Sequence, residues 1–245
     1  MTTFSAGQNT PYRNIITVND LLSFPIIIKE TNILIFSDTL LEIEAKDALL
    51  NYRYHIEEYI RNHADFLSSL IPLPLDASAP PIIKDMLHAG QLAGVGPMAS
   101  VAGALAENIG NKLLAHSQQI VVENGGDIYL HLTKDTTVAI YAGDSPLSNK
   151  LGLKIPSETA PLGVCTSSGT VGHSLSLGKA DAATIVAKST SLADAVATAT
   201  GNLIKGKKDI EKGLVYAQAI EGVIGTLIIA DDQFGVWGDI EIISL

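Results

Sequence analysis

The chain lacks most of the features that mark secreted, membrane-spanning or metal-cluster proteins. Its single cysteine, Cys165, excludes an internal disulfide and a thiolate cluster for zinc or iron–sulfur, and it is consistent with a reducing compartment. The longest apolar runs are far shorter than the roughly 18 residues that a membrane-spanning helix needs. The first residues lack the charged-then-apolar pattern of a signal peptide. These absences predict a cytoplasmic protein that has no membrane partner.

Basic residues are also scarce. The 16 Lys and Arg residues stand against 26 Asp and Glu residues, which gives a formal net charge of −10. Nucleic acid is therefore not an expected partner, because phosphate contacts dominate that kind of binding. A small-molecule or nucleotide ligand that carries phosphate would need a divalent cation, or a local group of backbone N–H donors, to offset the average field of the protein.

The chain does have enough apolar material for a large core. Hydrophobic residues make up 47% of its 245 residues, and a chain of this length folds as one large domain or as two lobes. The proline-rich stretch 71–81 cannot continue a helix. We therefore expect a single domain over residues 1–245, with the joint near 71–81 if two lobes are present. A homo-oligomer is compatible with this composition.

The order of the predicted elements favours an α+β fold. A hairpin is predicted between residues 24 and 36, a helical region over 40–70, and two further helices that end near residue 114. Predicted strands follow near 118–123, 128–132, 136–143, 151–155 and 182–187, then a helix over 191–200 that stops at Gly201, a helix over 210–219 and a closing hairpin over 225–243. Few connections have the length of a parallel crossover, so we expect mixed or antiparallel sheets with packed helices.

Gly94 and Gly96 form a loosened version of the dinucleotide-binding fingerprint, with Ala99 in the third glycine position. A true fingerprint follows a strand, whereas the segment before Gly94 is predicted to be helical, so a Rossmann fold is not indicated. A helix that begins after these glycines could still present its N-terminal N–H groups to an anion. Gly94 and Gly96 are for this reason predicted to bind the ligand.

Asn124, Gly125, Gly126 and Asp127 lie between two predicted strands. One interpretation is a glycine hairpin. The other is a ligand contact, because the two glycines expose the backbone while Asn124 and Asp127 offer directional hydrogen bonds to a flat or sugar-like group. The spacing alone leaves both interpretations open.

The densest group of reactive side chains lies between residues 163 and 173. Cys165, Thr166, Ser167 and Ser168 stand among glycines that let a ligand approach backbone N–H groups closely, and His173 follows them. His173 could activate Cys165 as a nucleophile. The structural alternative is that a lone cysteine at the end of a strand packs in the core.

Asp194 and Thr198 are four residues apart in the predicted Ala-rich helix, so their oxygens lie on one face, a turn apart. Hard cations such as Mg²⁺ take oxygen ligands of this kind. The structural alternative is that Asp194 lies in the first helical turn, where a negative charge suits the helix dipole, and that Thr198 bonds back to its own helix.

Taken in order, these segments resemble the ApbE-like superfamily, whose characterised members are magnesium-dependent flavin transferases that move the FMN part of FAD onto a Thr or Ser of a target protein. The family has, in order, a small-residue helix start, a strand into Asn-x-Gly-Gly-Asp or Glu, a Thr-Ser-Gly segment with a histidine, and an Ala-Asp-Ala-x-Ala-Thr-Ala helix. The matching stretches here are residues 94–107, 122–128 (with Asn-Gly-Gly-Asp), 166–173 and 193–199. The chain is more similar still, over nearly its whole length, to an uncharacterised archaeal and bacterial branch of that superfamily, protein family 0280.

The resemblance implies an ApbE-like fold and a role for each segment. Asp194 and Thr198 would help to hold a divalent metal, expected to be Mg²⁺. The 124–127 turn would contact a flavin, FAD or FMN, or its ribityl chain. His173 would act as general base, a role that its ordinary pKa suits.

The chain departs from the flavin transferases at two places. Residues 98–100, Met-Ala-Ser, supply no lysine near the pyrophosphate, and no Asp-Pro segment follows the histidine. Three functions therefore stay open. They are nucleotidyl or phosphoryl (FMN) transfer or pyrophosphate cleavage on a dinucleotide-like ligand, a non-catalytic ligand-binding module, and a cofactor-biosynthesis enzyme that uses Cys165 and His173.

Overall fold

The computed structural model describes residues 16, 18, 20–157, 161–171 and 176–245. The helices in these ranges are α1 (Glu42–Asn62), α2 (Ala64–Ser68), α3 (Pro81–Ala93), α4 (Val101–Leu113), α5 (Thr190–Leu203) and α6 (Ile210–Gln218), with short 3₁₀ turns at Pro97–Ser100 and Lys207–Asp209. None of these described helices is long and apolar enough to cross a membrane.

The strands in the same ranges are β1 (Leu22–Ile28), β2 (Thr31–Ser37), β3 (Ile120–Asn124), β4 (Asp127–His131), β5 (Thr136–Ala139), β6 (Leu151–Ile155), β7 (Leu162–Ser167), β8 (Ala182–Ala187), β9 (Val223–Ala230), β10 (Gln233–Gly238) and β11 (Glu241–Ser244). Every strand pairing among them is antiparallel. An α+β fold with antiparallel sheets is therefore confirmed.

The helix ends follow from local sequence. Helix α1 has Glu42 and Glu44 in its first turn and Arg61 in its last turn, which complements the helix dipole at both ends. Helix α3 begins with Pro81, whose missing N–H would have no partner there, and ends at Gly94 in the left-handed conformation that glycine tolerates best.

The sheets form two of three layers. One sheet has eight strands in the order β1-β2-β3-β4-β7-β8-β9-β10, and the other has three strands in the order β11-β6-β5. Alternate residues of the large sheet point to opposite faces. On β3, Ile120 and Val122 join the core cluster that includes α1, α3 and α4, whereas Val121 joins the cluster shared with the small sheet. The large sheet therefore lies between a helical layer and the three-stranded sheet.

Two predicted boundaries were wrong. Helix α5 does not stop at Gly201 but continues to Leu203, because Gly201 is buried against Ser167 and Ala183 of the sheet and tertiary packing outweighs its low helix propensity. The closing hairpin consists only of β9 and β10, which turn at Asp231. The last predicted part of it, β11, pairs with β6 in the other sheet.

Residues 69–80 connect α2 and α3 without helix or strand. This connection includes most of the proline-rich stretch in which a joint was predicted. The interpretation of the chain as a single domain, with or without two lobes, stays a prediction.

Candidate functional site

A cavity of about 780 Å³ opens between the helical layer and the ends of strands β3, β4 and β7. The start of α4 and residues of α1 and α5 also line it, together with Leu67 of α2 and with Val138, Ala139 and Tyr141 in and after β5. Nine residues that the sequence singled out line this one cavity, namely Asn124, Gly125, Gly126, Asp127, Thr166, Ser167, Ser168, Asp194 and Thr198. The fold thus brings together three segments that are far apart in the chain.

The turn between β3 and β4 forms one edge of the cavity. Gly125 and Gly126 have φ values of 69° and 111°, a pair of positive values that glycine adopts without strain. The Asn124 side chain donates from Nδ2 to the carbonyl oxygen of Ala102 at 3.1 Å. The predicted hairpin is therefore confirmed, and it also faces the cavity, attached to the first turn of α4.

Asp194 lies in the second turn of α5 but serves a different helix. Its carboxylate accepts the N–H of Gly103, in the first turn of α4, at 2.8 Å. The α5 first turn holds no acidic residue, so the structural alternative for Asp194 as a charge on its own helix end was wrong. The positive end of the α4 dipole is thus occupied by a carboxylate of the protein itself.

Thr198 follows Asp194 by one turn on the same face of α5. Its hydroxyl donates to the carbonyl oxygen of Ala99 at 3.5 Å, a long contact with another segment and not with its own helix. Both side chains line the cavity, as the i, i+4 spacing predicted.

Asp127 and Asp194 form a buried acidic pair. Burial raises the pKa of Asp194 to about 7, although the N–H groups of Gly103 and Ala102 act in the opposite direction. Burial and the nearby charge of Asp194 also raise the pKa of Asp127 well above its usual range. Two carboxylates in this environment favour a shared proton or a bound cation.

The donor set fits a hard divalent cation. Carboxylate oxygens of Asp127 and Asp194 and the Thr198 hydroxyl are oxygen ligands at the cavity wall, and Mg²⁺ commonly uses one or two carboxylates together with phosphate oxygens of a ligand. The described residues contain no cluster of three or more His, Cys, Asp or Glu side chains that could hold a metal alone. The protein would therefore hold such an ion jointly with an anionic ligand.

Cys165, Gly94 and Gly96 are not among the residues that line this cavity. Cys165 is fully buried, its thiol lies 3.4 Å from the carbonyl oxygen of Thr190, and burial together with the charge of Asp127 raises its pKa well above the usual range. Gly94 ends α3 and Gly96 precedes the Pro97–Ser100 turn, and neither lines the cavity. His173 lies outside the described residues, so its predicted role as base stays a prediction.

Four charged residues that line the cavity were not predicted from the sequence. They are Lys29 and Glu30 at the β1–β2 turn and Arg53 and Glu57 of α1. One signal was available, because Arg53 lies three residues before Ile56 and therefore on the border of the apolar stripe of α1. A charged residue in that position is a candidate for a polar group inside an apolar wall.

Comparison with known proteins agrees with this fold. The flavinyl transferase ApbE of Pseudomonas stutzeri, in its apo form, superposes with a TM-score of 0.53 at 16% identity, over 89% of this chain and 93% of that one. The flavin transferase ApbE of Vibrio cholerae gives 0.55 at 14% identity, over 89% and 96%. At these identities the likeness concerns the fold.

Sequence comparison identifies the family. A UPF0280 protein of Methanocaldococcus jannaschii is 42% identical over 88% of this chain and 90% of its own length. A UPF0280 protein of Methanococcus aeolicus is 44% identical over 88% and 89%. The family model described as "AbpE bacteria" matches residues 13–222. The chain therefore belongs to the ApbE-like family and, within it, to the UPF0280 proteins.

Proposed function

We propose that the protein binds FAD, or a closely similar dinucleotide, together with Mg²⁺ in this cavity, and that it transfers the FMN part to an acceptor hydroxyl. The observation that carries the proposal is the pair of buried carboxylates, Asp127 and Asp194, beside Thr198 at the cavity wall. The ApbE-like fold and the flavin transferases that share it support the choice of ligand. A cytoplasmic location is part of the same proposal.

Each segment of the site would have one task. The 124–127 turn and the hydroxyls of Thr166, Ser167 and Ser168 would bond to the ribityl and phosphate groups, since backbone N–H groups and hydroxyls suit such acceptors. The N–H of Gly103 in α4 holds the Oδ2 atom of Asp194, and the other carboxylate oxygen, Oδ1, would bind the cation. The cation, when bound, supplies the positive charge that offsets the pyrophosphate.

Transfer would follow the usual in-line geometry. The acceptor oxygen forms a bond to the phosphorus on the FMN side, the bond from that phosphorus to the AMP oxygen breaks, and AMP leaves with the electron pair. The acceptor proton would pass to a base, the role predicted for His173. The protein's contribution is mainly to align the hydroxyl with the leaving oxygen.

A second candidate is a binding module without transfer activity. Among the described residues that line the cavity, the only lysine is Lys29, and it is paired with Glu57 at 2.8 Å. Apart from Lys29, the described lining residues include no lysine, in agreement with Met-Ala-Ser at positions 98–100. This observation favours binding over catalysis.

Calorimetric titration with FAD, with and without Mg²⁺, tests the proposal. We expect Mg²⁺-dependent binding by the wild type and at least a tenfold loss in Asp194→Asn, whereas Asp47→Asn, on the exposed side of α1, serves as the control. Absence of FAD binding in the presence of Mg²⁺ would exclude both candidates. Binding without FMN transfer to a Thr-containing peptide, and without release of AMP, would leave the binding module.

A further inference from the structure

The two outer strands of the eight-stranded sheet differ in how well their free edges are protected. Strands β1 and β10 each have a neighbour on one side only among the described strands. The N–H and C=O groups on the other side of such a strand are open to pairing with a further strand, and proteins commonly block this with proline, charged side chains or a covering element. The residues of each edge therefore show whether it is available.

Strand β1 is blocked by Pro25. The two-residue turn 29–30 closes its hairpin with the pair Ile28 and Thr31, so the bonds to β2 fall on Ile28 and on every second residue before it. The backbone groups of Ile27 and Pro25 therefore point to the free edge. Pro25 has no N–H to offer there, and proline occurs in sheets at edge positions of this kind.

Strand β10 has no such protection. Its six residues, Gln233–Gly238, include no proline and no charged side chain. The two-residue turn 231–232 connects it to β9, so the bonds to β9 fall on Gln233 and on every second residue after it. The N–H and C=O groups of Phe234 and Val236 therefore point away from β9, to a side on which no described strand lies.

The side chains of the same two residues are apolar and exposed. Phe234 and Val236 lie opposite Ile229 and Leu227 of β9, which are fully buried in the core between the two sheets. Phe234 is nevertheless 47% exposed and Val236 36% exposed. The three-stranded sheet thus covers β9 but leaves this face of β10 open. An extended segment is the partner that would both pair with the edge and cover this apolar row.

The β10 edge is complementary to itself. An antiparallel copy of β10, related by a two-fold axis, would satisfy the outward N–H and C=O groups of both chains at once. If Val236 lies opposite its counterpart, Phe234 lies opposite Gly238 of the second copy, where its ring covers a residue that has no side chain. The two Val236 and two Phe234 side chains then form one continuous apolar row.

The distribution of charge favours a second copy at this edge. The chain has a formal net charge of −10, so two copies repel each other least where the contact surface carries no charge, and β10 is such a stretch. With Val236 opposite Val236, Asp239 of one copy lies opposite Gln233 of the other. It is then beside Lys207, whose Nζ lies 3.0 Å from Oδ1 of Asp232 in the same chain.

Charge and strand length also select the register. Pairs of outward-facing residues shift in steps of two. One such shift would place Asp239 opposite Asp231 of the second copy, and like charges that lie directly opposite each other are destabilising. The shift in the other direction moves Phe234 past Gly238, where β10 ends.

We propose that β10 is a self-association edge, through which two copies of the chain pair antiparallel across a two-fold axis and join their eight-stranded sheets into one. A six-residue strand supports an interface below the roughly 1,200 Å² typical of stable complexes, so the dimer dissociates with a Kd of about 1–100 µM. No residue of β10 lines the cavity, so association is separate from ligand binding.

Sedimentation equilibrium of the full-length protein from about 1 to 300 µM tests the proposal. We expect the wild type to change from the monomer mass to twice that mass over this range. Phe234→Lys places a charge in the apolar row, and Val236→Pro removes an N–H that points to the free edge while the bonds to β9 remain. Each should weaken association at least about tenfold.

Ile27→Lys is the matched control. Ile27 is 64% exposed and its backbone also points to a free edge, but at the strand that Pro25 blocks. The same kind of change should therefore leave the dissociation constant as in the wild type. Thermal unfolding at the lowest concentration checks that each variant is folded.

Cross-linking locates the contact. The native thiol, Cys165, is buried, so a short bis-maleimide reagent would react with an introduced surface cysteine. We expect a cross-linked dimer from Val236→Cys, whose two copies lie opposite each other, and none from Ile27→Cys.

Three results would overturn the inference. The first is a monomer mass over the whole concentration range, which would leave the β10 edge to a strand of another protein. The second is a dimer that is unaffected by both Phe234→Lys and Val236→Pro, which would place the interface elsewhere. The third is an equal weakening by Ile27→Lys.

Discussion

Asp194 and Glu107 cap each other's helices. Asp194, on α5, accepts the N–H of Gly103 in the first turn of α4 at 2.8 Å. Glu107, on α4, accepts the N–H and the hydroxyl of Ser191 in the first turn of α5, both at 2.8 Å. The two carboxylates therefore fix α4 against α5 at the cavity wall, and this position of Asp194 sets where a cation would be held.

Removing the Glu107 cap should destabilise the fold. Glu107→Ala removes the acceptor of the Ser191 N–H and hydroxyl, while Ser189 still accepts the N–H of Leu192, and we expect the free energy of unfolding to fall by about 1–3 kcal/mol. Glu107→Gln, which keeps an acceptor oxygen, should lose less. Urea denaturation measures both, with Glu58→Ala as the control, because its exposed pair with Arg61 contributes about 0–1 kcal/mol. Equal losses in the two alanine variants would contradict the capping role.

Gly103 is required for the close approach of α4 to α5. A Cβ at Gly103 would lie 2.5 Å from the Thr190 carbonyl oxygen and 2.7 Å from Cβ of Asp194. We expect Gly103→Ala to lower the free energy of unfolding by about 1–3 kcal/mol or more from overpacking, despite the higher helix propensity of alanine. In Gly206→Ala the added Cβ meets no atom within 4 Å, so this control should change stability by less than about 1 kcal/mol. An unchanged free energy of unfolding in Gly103→Ala would contradict this, because it would show that α4 and α5 can move apart at little cost.

The stability of the protein without cation should fall as the pH rises from about 4 to about 7. In the folded state the pKa of Asp194 is about 7, against an ordinary value of 3.8, so the folded state keeps a proton that the unfolded chain releases over this range. Asp194→Asn removes one of the two buried carboxyl groups whose pKa is raised, so it should make this dependence shallower and raise the melting temperature above that of the wild type at pH 8. Thermal unfolding at several pH values checks this, and a wild-type slope in the variant would contradict it.

Mg²⁺ should raise the melting temperature of the wild type more at pH 8 than at pH 5.5. The cation binds the ionised carboxylates and has to displace protons from Asp127 and Asp194 at low pH, because burial raises the pKa of both. Any ligand that binds only the folded state stabilises it by mass action. Asp47→Asn should respond as the wild type does, whereas a cation effect that is the same at both pH values would place the ion elsewhere.

Cys165 should react with thiol reagents only after unfolding. Its thiol is buried and its pKa is raised by burial and by Asp127, so almost no accessible thiolate is present at neutral pH. We expect modification of the native protein to be at least about a hundredfold slower than in denaturant. Cys165→Ala should keep Mg²⁺-dependent FAD binding. Rapid alkylation of the native protein with loss of activity would support the alternative in which Cys165 is the nucleophile.

Much of the fold follows from the sequence, because its signals are local. The apolar period of residues 40–70, the glycines at 125 and 126 and the apolar run Ala182–Ala187 specify a helix, a turn and a buried strand through contacts within a few residues. The shared face of Asp194 and Thr198 follows from helix geometry in the same way. The resemblance to a known family then supplied their grouping into one site.

Only the tertiary structure decided the partners of these residues. The hydrogen bond from Gly103 to Asp194 joins residues 91 positions apart. Strand β11 belongs to the three-stranded sheet because it pairs with β6, which lies far from it in the sequence. The same holds for the hydrogen bonds from Arg53 on α1 to Thr31 and Glu30 and for the burial of Cys165. Long-range packing determines these features. The apolar pattern of the sequence shows on which face of a helix or strand a side chain lies, but it does not show which distant segment covers that face.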